Sequence, residues 1–110
     1  MDPKAIYNAS KILQHKINWA KPDGREWIHV DTSDDFRDKE VLKAILAAFD
    51  VCEIYVVVDR RNVFQVRSQD ALPLLCEHLK HGDVTLWDKS LKKTMFFSSI
   101  GVFRYGQVAA

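Results

Sequence analysis

The chain has 110 residues, of which 47% are hydrophobic and 28% are charged, and its net charge is +1. These values are typical of a globular domain, so we expect one compact domain over residues 1–110 that folds without metal or disulfides. The apolar runs are far shorter than the roughly 20 residues of a membrane-spanning helix, and the first residues do not resemble a secretory signal. The sequence therefore predicts a cytoplasmic protein.

Charge is unevenly distributed along the chain. Residues 1–25 carry a net charge of +3 and residues 60–110 carry +4, whereas residues 26–59 carry −6. A cluster of like charge steers association with an oppositely charged partner more than it determines the fold. The alternative is that these charges compensate one another across the folded surface.

The first segment has the pattern of an amphipathic helix. Its apolar positions, which recur at helical spacing, are Ile6, Ala9, Leu13, Ile17 and Ala20. Asp2 and Pro3 suit the start of this helix, and Pro22 ends it after Ala20. Residues 26–31 are largely β-branched or aromatic and follow a turn, which predicts a short strand.

The middle of the chain predicts a helix and then a hairpin. The helix is capped by Thr32 or Ser33, and its expected buried stripe is Leu42, Ile45, Leu46 and Phe49. Residues 52–58 are almost continuously apolar, which indicates a strand covered on both faces with a buried Cys52. The polar residues 59–62 then form a turn before a strand at 63–67.

The last third of the chain completes an α/β (α+β) fold. A helix capped by Asp70 has an apolar face that consists of Leu72, Leu75, Cys76 and Leu79. A strand at 84–87, a polar connection at 88–93 and one long or broken strand at 94–105 follow. The order is α-β-α-β-β-α-β-β, which predicts a mixed sheet of four to five strands packed with three helices in two or three layers.

The acidic middle segment gives the leading hypothesis about function. Its most closely spaced acids are Asp31, Asp34, Asp35, Asp38 and Glu40. Such a face would bind a basic protein, because opposite potentials speed encounter and the bound surface can cover an active site. The sequence therefore favours a small protein-binding regulator, most simply an inhibitor such as an immunity protein or antitoxin that neutralises a basic toxin or nuclease.

A second hypothesis is an accessory protein that binds nucleic acid. Its basic residues would be Arg60, Arg61, Lys89, Lys92 and Lys93. Together with the aromatic residues between Lys89 and Tyr105, they would form a basic stacking platform. The sequence lacks the motifs of an RNA-recognition domain, a zinc finger or a helix-turn-helix, which makes this the weaker hypothesis.

A third hypothesis is a small metal-dependent hydrolase built on Asp31 and Asp59, since each follows a predicted strand. Aspartates at these positions are also favoured for turns and helix caps. His78 and His81 lie three residues apart, but no second pair of ligands accompanies them as in zinc sites. The glycines form no phosphate-binding loop, so the sequence predicts no catalytic residue, metal or cofactor.

Overall fold

The computed structural model describes residues 2–20, 28–29, 34–98 and 102–109, and it describes 28–29 and 34–40 by their backbone. Within these residues the helices are α1 (Pro3–Leu13), α2 (Asp34–Phe49) and α3 (Ala71–Leu79). The strands are β1 (Ile17–Trp19), β2 (Ile28–His29), β3 (Glu53–Val57), β4 (Val63–Arg67), β5 (Val84–Asp88), β6 (Lys93–Ser98) and β7 (Val102–Val108). The predicted α+β class with three helices is confirmed, and the strands outnumber the four to five expected.

The described strands form one antiparallel sheet in the order β1-β7-β6-β5-β3-β4, and the two-residue β2 also pairs with β7. The sequence predicted a mixed sheet, whereas every pairing among the described strands is antiparallel. The connection through α3 explains this difference. This helix carries the chain from β4 across β3, so that β5 pairs with β3 from its other side. β4 and β5 run in the same direction but never become neighbours.

The first helix is shorter than its apolar periodicity predicts. Asp2 is its N-cap, as expected, because its Oδ1 accepts a hydrogen bond from the backbone N–H of Lys4 at 3.1 Å. The helix ends at Leu13, and a 3-10 turn leads into β1. The prediction of helix through Ala20 is therefore wrong: Ile17–Trp19 pairs with β7, whose backbone donors and acceptors replace those of a continuing helix.

The front face of the sheet is the one that α2 and α3 cover. Ile45 of α2 and Leu75 of α3 are fully buried against the inward side chains of the central strands. In α2 the buried positions repeat every four residues at Val41, Ile45 and Phe49. Leu42 and Leu46, which the sequence placed in the buried stripe, are only partly buried.

The back face is the one that α1 covers, and it combines apolar packing with hydrogen bonds. Ile6 packs against the buried Trp87, whose Nε1–H donates to Ser10 Oγ at 2.8 Å. Gln14 Nε2 also donates to Thr85 Oγ1 at 3.4 Å. With helices on both sides of β3, the protein has three layers. β3 is covered on both faces as the sequence predicted, although it lies next to the edge strand β4 rather than at the centre of the sheet.

Cys52 precedes β3 and is exposed, so the prediction of a buried thiol is wrong. The chain leaves α2 through Asp50, whose φ is 58°, and this turn directs Cys52 away from the core. Ser68 fastens the same turn to the end of β4. Its Oγ donates to the carbonyl of Asp50 and accepts from the N–H of Cys52 at 3.2 Å.

Candidate functional site

The acidic residues of the leading hypothesis lie mostly at the start of α2. The backbone places Asp34, Asp35, Asp38 and Glu40 within its first two turns, a length of about 10 Å along the helix axis. Asp31 lies outside the described residues. The structure therefore brings four of the five acids into one short helical segment, which we call the acidic segment.

The basic residues of the nucleic-acid hypothesis lie at opposite ends of the sheet. Arg60 and Arg61 are exposed in the β3–β4 turn, as expected. Lys89, Lys92 and Lys93 belong to the β5–β6 loop and the start of β6. Because β5 runs antiparallel to β3, this loop lies at the far end of β3, about 15 Å from the arginines. The fold does not join the two groups into one basic patch.

Lys89 is also engaged in a surface ion pair. Its Nζ lies 3.3 Å from Glu53 Oε2, which accepts a second hydrogen bond from Gln65 Nε2 at 2.9 Å. The hydrogen bond from Lys89, followed by that from Gln65, lowers the pKa of Glu53. Both partners of the ion pair are half exposed, so its free energy is reduced by solvent screening.

Asp59, the second carboxylate of the hydrolase hypothesis, organises the β3–β4 turn. Its Oδ1 accepts hydrogen bonds from the backbone N–H groups of Arg61 at 2.8 Å and Asn62 at 2.9 Å. The side-chain amide of Asn62 donates to both carboxylate oxygens at 3.0 Å. The hydrogen bond from the Asn62 side chain, then that from the Arg61 N–H, lowers the pKa of Asp59. The carboxylate thus has a structural role.

Asp88 has a similar role at the other end of the sheet. Its Oδ1 accepts from the backbone N–H groups of Lys92 at 2.8 Å and Lys93 at 2.9 Å, which closes the β5–β6 loop. Desolvation by burial opposes ionisation of this half-buried carboxyl. Hydrogen bonds from Ser90, Lys93 and Lys92 together outweigh desolvation, so the pKa of Asp88 is lowered.

The two histidines near the end of α3 lie in a local turn. The N–H of His81 donates to the carbonyl of His78 at 3.0 Å, and the His78 ring lies 5.4 Å from that of Phe64. Across the described ranges, no group of three or more His, Cys, Asp or Glu side chains is arranged to hold a metal ion.

The aromatic residues near the C-terminal end divide between the two faces. Phe97 and Phe103 are buried in the front core, with ring centroids 5.2 Å apart. On the back face, the guanidinium of Arg104 lies 3.9 Å from the ring centroid of Trp19 and 5.6 Å from that of Phe96. These rings therefore take part in packing and cation–π contacts within the protein.

A cleft of about 370 Å³ opens on the front face between α2 and the sheet edge formed by β1, β7 and β6. Ala47 and Ala48 line it from α2, and the described residues that line it from the strands are Asn18, Ala20, Lys93, Thr94, Tyr105, Gly106 and Gln107. Of these, Lys93 and Tyr105 were candidates from the sequence, as members of the nucleic-acid hypothesis. Alternation of polar and apolar residues marks single strands, but the pairing of β1 with β7 was needed to bring the others together.

Gly106 allows β1 to lie where it does. A Cβ atom at this position would overlap the carbonyl oxygen of Asn18 and would contact Ile17 Cγ2 at 2.9 Å. Only glycine therefore permits this close approach of the two backbones. The position of Asn18 at the cleft depends on it.

No protein-family model, no curated protein and no solved structure matches this chain. No helix in the described part of the chain is long and apolar enough to span a membrane.

Proposed function

We propose that this protein is a cytoplasmic, protein-binding regulator that uses the acidic segment, together with Asp31, to bind a basic partner. The observation that carries the proposal is the concentration of Asp34, Asp35, Asp38 and Glu40 in two turns of one helix, where they outnumber the two bases Arg37 and Lys39. This helix lies in the part of the sequence whose net charge is −6, over residues 26–59. An inhibitor of a basic enzyme, such as an immunity protein or antitoxin against a nuclease, is the form of regulator that this charge suits best.

Clustered carboxylates raise the rate at which a basic partner is encountered. The field of several like charges extends over roughly 10 Å at ordinary ionic strength, and salt screens it. Acids in the first turn of a helix are also favoured by the positive end of its dipole, so Asp34 and Asp35 stabilise α2 even without a partner. Association kinetics distinguish binding from this structural contribution, because only binding requires the partner.

Three carboxylates outside the acidic segment have local partners. Asp59 and Asp88 accept backbone hydrogen bonds within their own turns, and Glu53 pairs with Lys89. These contacts give each of the three a role in folding.

The test compares two variants in which carboxylates are replaced by their neutral amides and which are expected to keep the wild-type fold. In the first, Asp34→Asn, Asp35→Asn, Asp38→Asn and Glu40→Gln are combined. In the control, two exposed acids elsewhere are neutralised by Asp70→Asn and Glu77→Gln. Affinity capture from lysate of the source organism, with nuclease treatment and mass spectrometry, first identifies the partner, and stopped-flow or surface-based kinetics then measure association with it.

The proposal predicts one basic partner whose capture resists nuclease and weakens with salt. The first variant should associate roughly tenfold more slowly at low salt and show a shallower salt dependence, whereas the control should match the wild type. Equal association rates for all three proteins would exclude the acidic segment from the interface. Recovery of many proteins that nuclease releases would favour nucleic-acid binding instead.

A further inference from the structure

The cleft beside α2 brings together polar side chains that the fold itself does not use. Asn18, Lys93 and Gln107 are exposed, and Tyr105 is half-buried. Among the described residues, these four side chains have no hydrogen-bond or ion-pair partner. Polar side chains that converge on a cleft without partners are the groups that orient a ligand in a small-molecule site.

Strand register arranges three of these side chains in a row. Gln107 on β7 pairs with Asn18 on β1 and with Lys93 on β6, so all three lie on the front face. Neighbouring strands are about 4.8 Å apart, and the row is therefore about 10 Å wide. Tyr105 lies two residues before Gln107 on the same face, towards the core.

The opposite wall of the cleft is apolar and small. Ala47 is exposed and Ala48 is partly buried on the last turns of α2. Their methyl groups leave a gap between the helix and the sheet. The volume of about 370 Å³ lies near the lower end of the range for ligand pockets, which suits a ligand with one ring or two.

The charge of the cleft favours an anion. Lys93 is the cationic member of the described lining, which contains no carboxylate. Asp88 is the nearest acid along the pairing of β5 with β6, and its oxygens accept from Ser90 and from the N–H groups of Lys92 and Lys93. The Lys93 ammonium also attracts the Asp88 carboxylate through its charge. Among the described residues it forms no direct ion pair, so it can also pair with a ligand.

We infer that this cleft binds a small aromatic carboxylate. The carboxylate would accept hydrogen bonds from Lys93 Nζ and from the side-chain amides of Gln107 and Asn18, which together match its two oxygens. The ring would lie between the sheet and the methyl groups of Ala47 and Ala48, in contact with Tyr105. The site begins about 10 Å along α2 from Glu40, and none of its described lining residues belongs to the acidic segment, so the inference does not rest on the proposed protein partner.

Residue-resolved NMR of the full chain tests this inference. Benzoate, 4-hydroxyphenylacetate and indole-3-acetate are each titrated to millimolar concentration, with benzamide as a neutral analogue of benzoate. We expect at least one carboxylate to shift the amide signals of residues 47, 48, 93 and 105–107 together, and benzamide to bind at least about tenfold more weakly than benzoate. If no carboxylate shifts these signals, or if shifts occur elsewhere only, the inference is wrong.

Three variants distinguish binding in the cleft from a general attraction of anions to the basic β5–β6 loop. Lys93→Gln should weaken binding of the carboxylate at least about tenfold, whereas Lys92→Gln, which neutralises the adjacent exposed lysine, should leave it unchanged. Ala47→Phe should block the cleft without altering its charge. Equal weakening by Lys92→Gln and Lys93→Gln, or unchanged binding in Ala47→Phe, would contradict a defined site. Dispersed spectra of each free variant verify the fold.

Discussion

The two faces of the sheet are held by different means. On the front face, α2 and α3 bury most of the apolar residues of the described core, with Ile45 and Leu75 at its centre. On the back face, α1 buries a smaller apolar cluster but is also joined to the sheet by hydrogen bonds, chiefly from Trp87 to Ser10. Front-face stability is therefore dominated by burial, and back-face stability depends more on directional contacts.

This difference teaches how an 11-residue helix is positioned on a sheet. Apolar contact is non-directional, and a short helix with few buried residues can shift along the sheet at small cost. A buried indole N–H that has one hydroxyl acceptor fixes a single position, because any displacement leaves it unpaired. The back face thus gains specificity from a contact whose net contribution to stability is modest, but whose loss is costly because it leaves a buried donor unpaired.

The largest effect is expected in the front core. Ile45→Ala removes a fully buried side chain and leaves a cavity that the packed helices cannot fill, so unfolding free energy should fall by about 3 kcal/mol. Chemical denaturation measures the change. Ile12→Ala is the matched control, since Ile12 is 62% exposed on α1 and its loss should alter stability by less than about 0.5 kcal/mol. Similar losses of unfolding free energy in both variants would show that burial in the front core does not dominate stability.

An intermediate effect is expected on the back face. Ser10→Ala deletes the acceptor of the Trp87 N–H, and the unpaired buried donor should cost about 2 kcal/mol. In a Trp87→Phe background the donor is already absent, so the same serine substitution should cost distinctly less. If the serine substitution costs the same in both backgrounds, the hydrogen bond does not couple α1 to the sheet.

The smallest effect concerns charge and appears only in acid. Because the folded pKa of Asp88 lies below its usual value of 3.8, the ionised carboxylate stabilises the fold at higher pH, and this contribution is lost as pH falls through the folded pKa. Asp88→Asn should therefore flatten the pH dependence of stability below about pH 4. The pH dependence is measured from denaturation midpoints between neutral and acidic pH. Glu77→Gln, at an exposed position, is the control. An unchanged acid profile in Asp88→Asn would show that other groups dominate.

Local chemistry predicted the parts of the fold that depend on neighbouring residues. Asp2 and Pro3 identified the start of α1, and the apolar run at 52–58 identified a strand covered on both faces. The shortened α1 could not be predicted, because β1 has only three residues and forms through pairing with β7. Ile17 of β1 and Ala20, which follows this strand, also fit the helical spacing of the preceding apolar residues.

The candidate sites, too, could be predicted only where their residues are close in the sequence. The acidic residues are close in sequence and stay close on one helix, so composition was enough to group them. The basic residues were grouped by type, but strand direction separates Arg60 from Lys89. The cleft requires the register of three strands and the small side chains of α2, and none of these relationships is local.

The pairing of β7 has a consequence for protein synthesis. This strand lies between β6 and the edge formed by β1 and β2, and Ile17 pairs with Val108, which is translated roughly ninety residues later. A nascent chain can form the β3–β4 hairpin early, but β1 and the outer side of β6 stay unpaired until residues 102–108 leave the ribosome. Ribosome stalling before that point would present open strand edges, which favour aggregation.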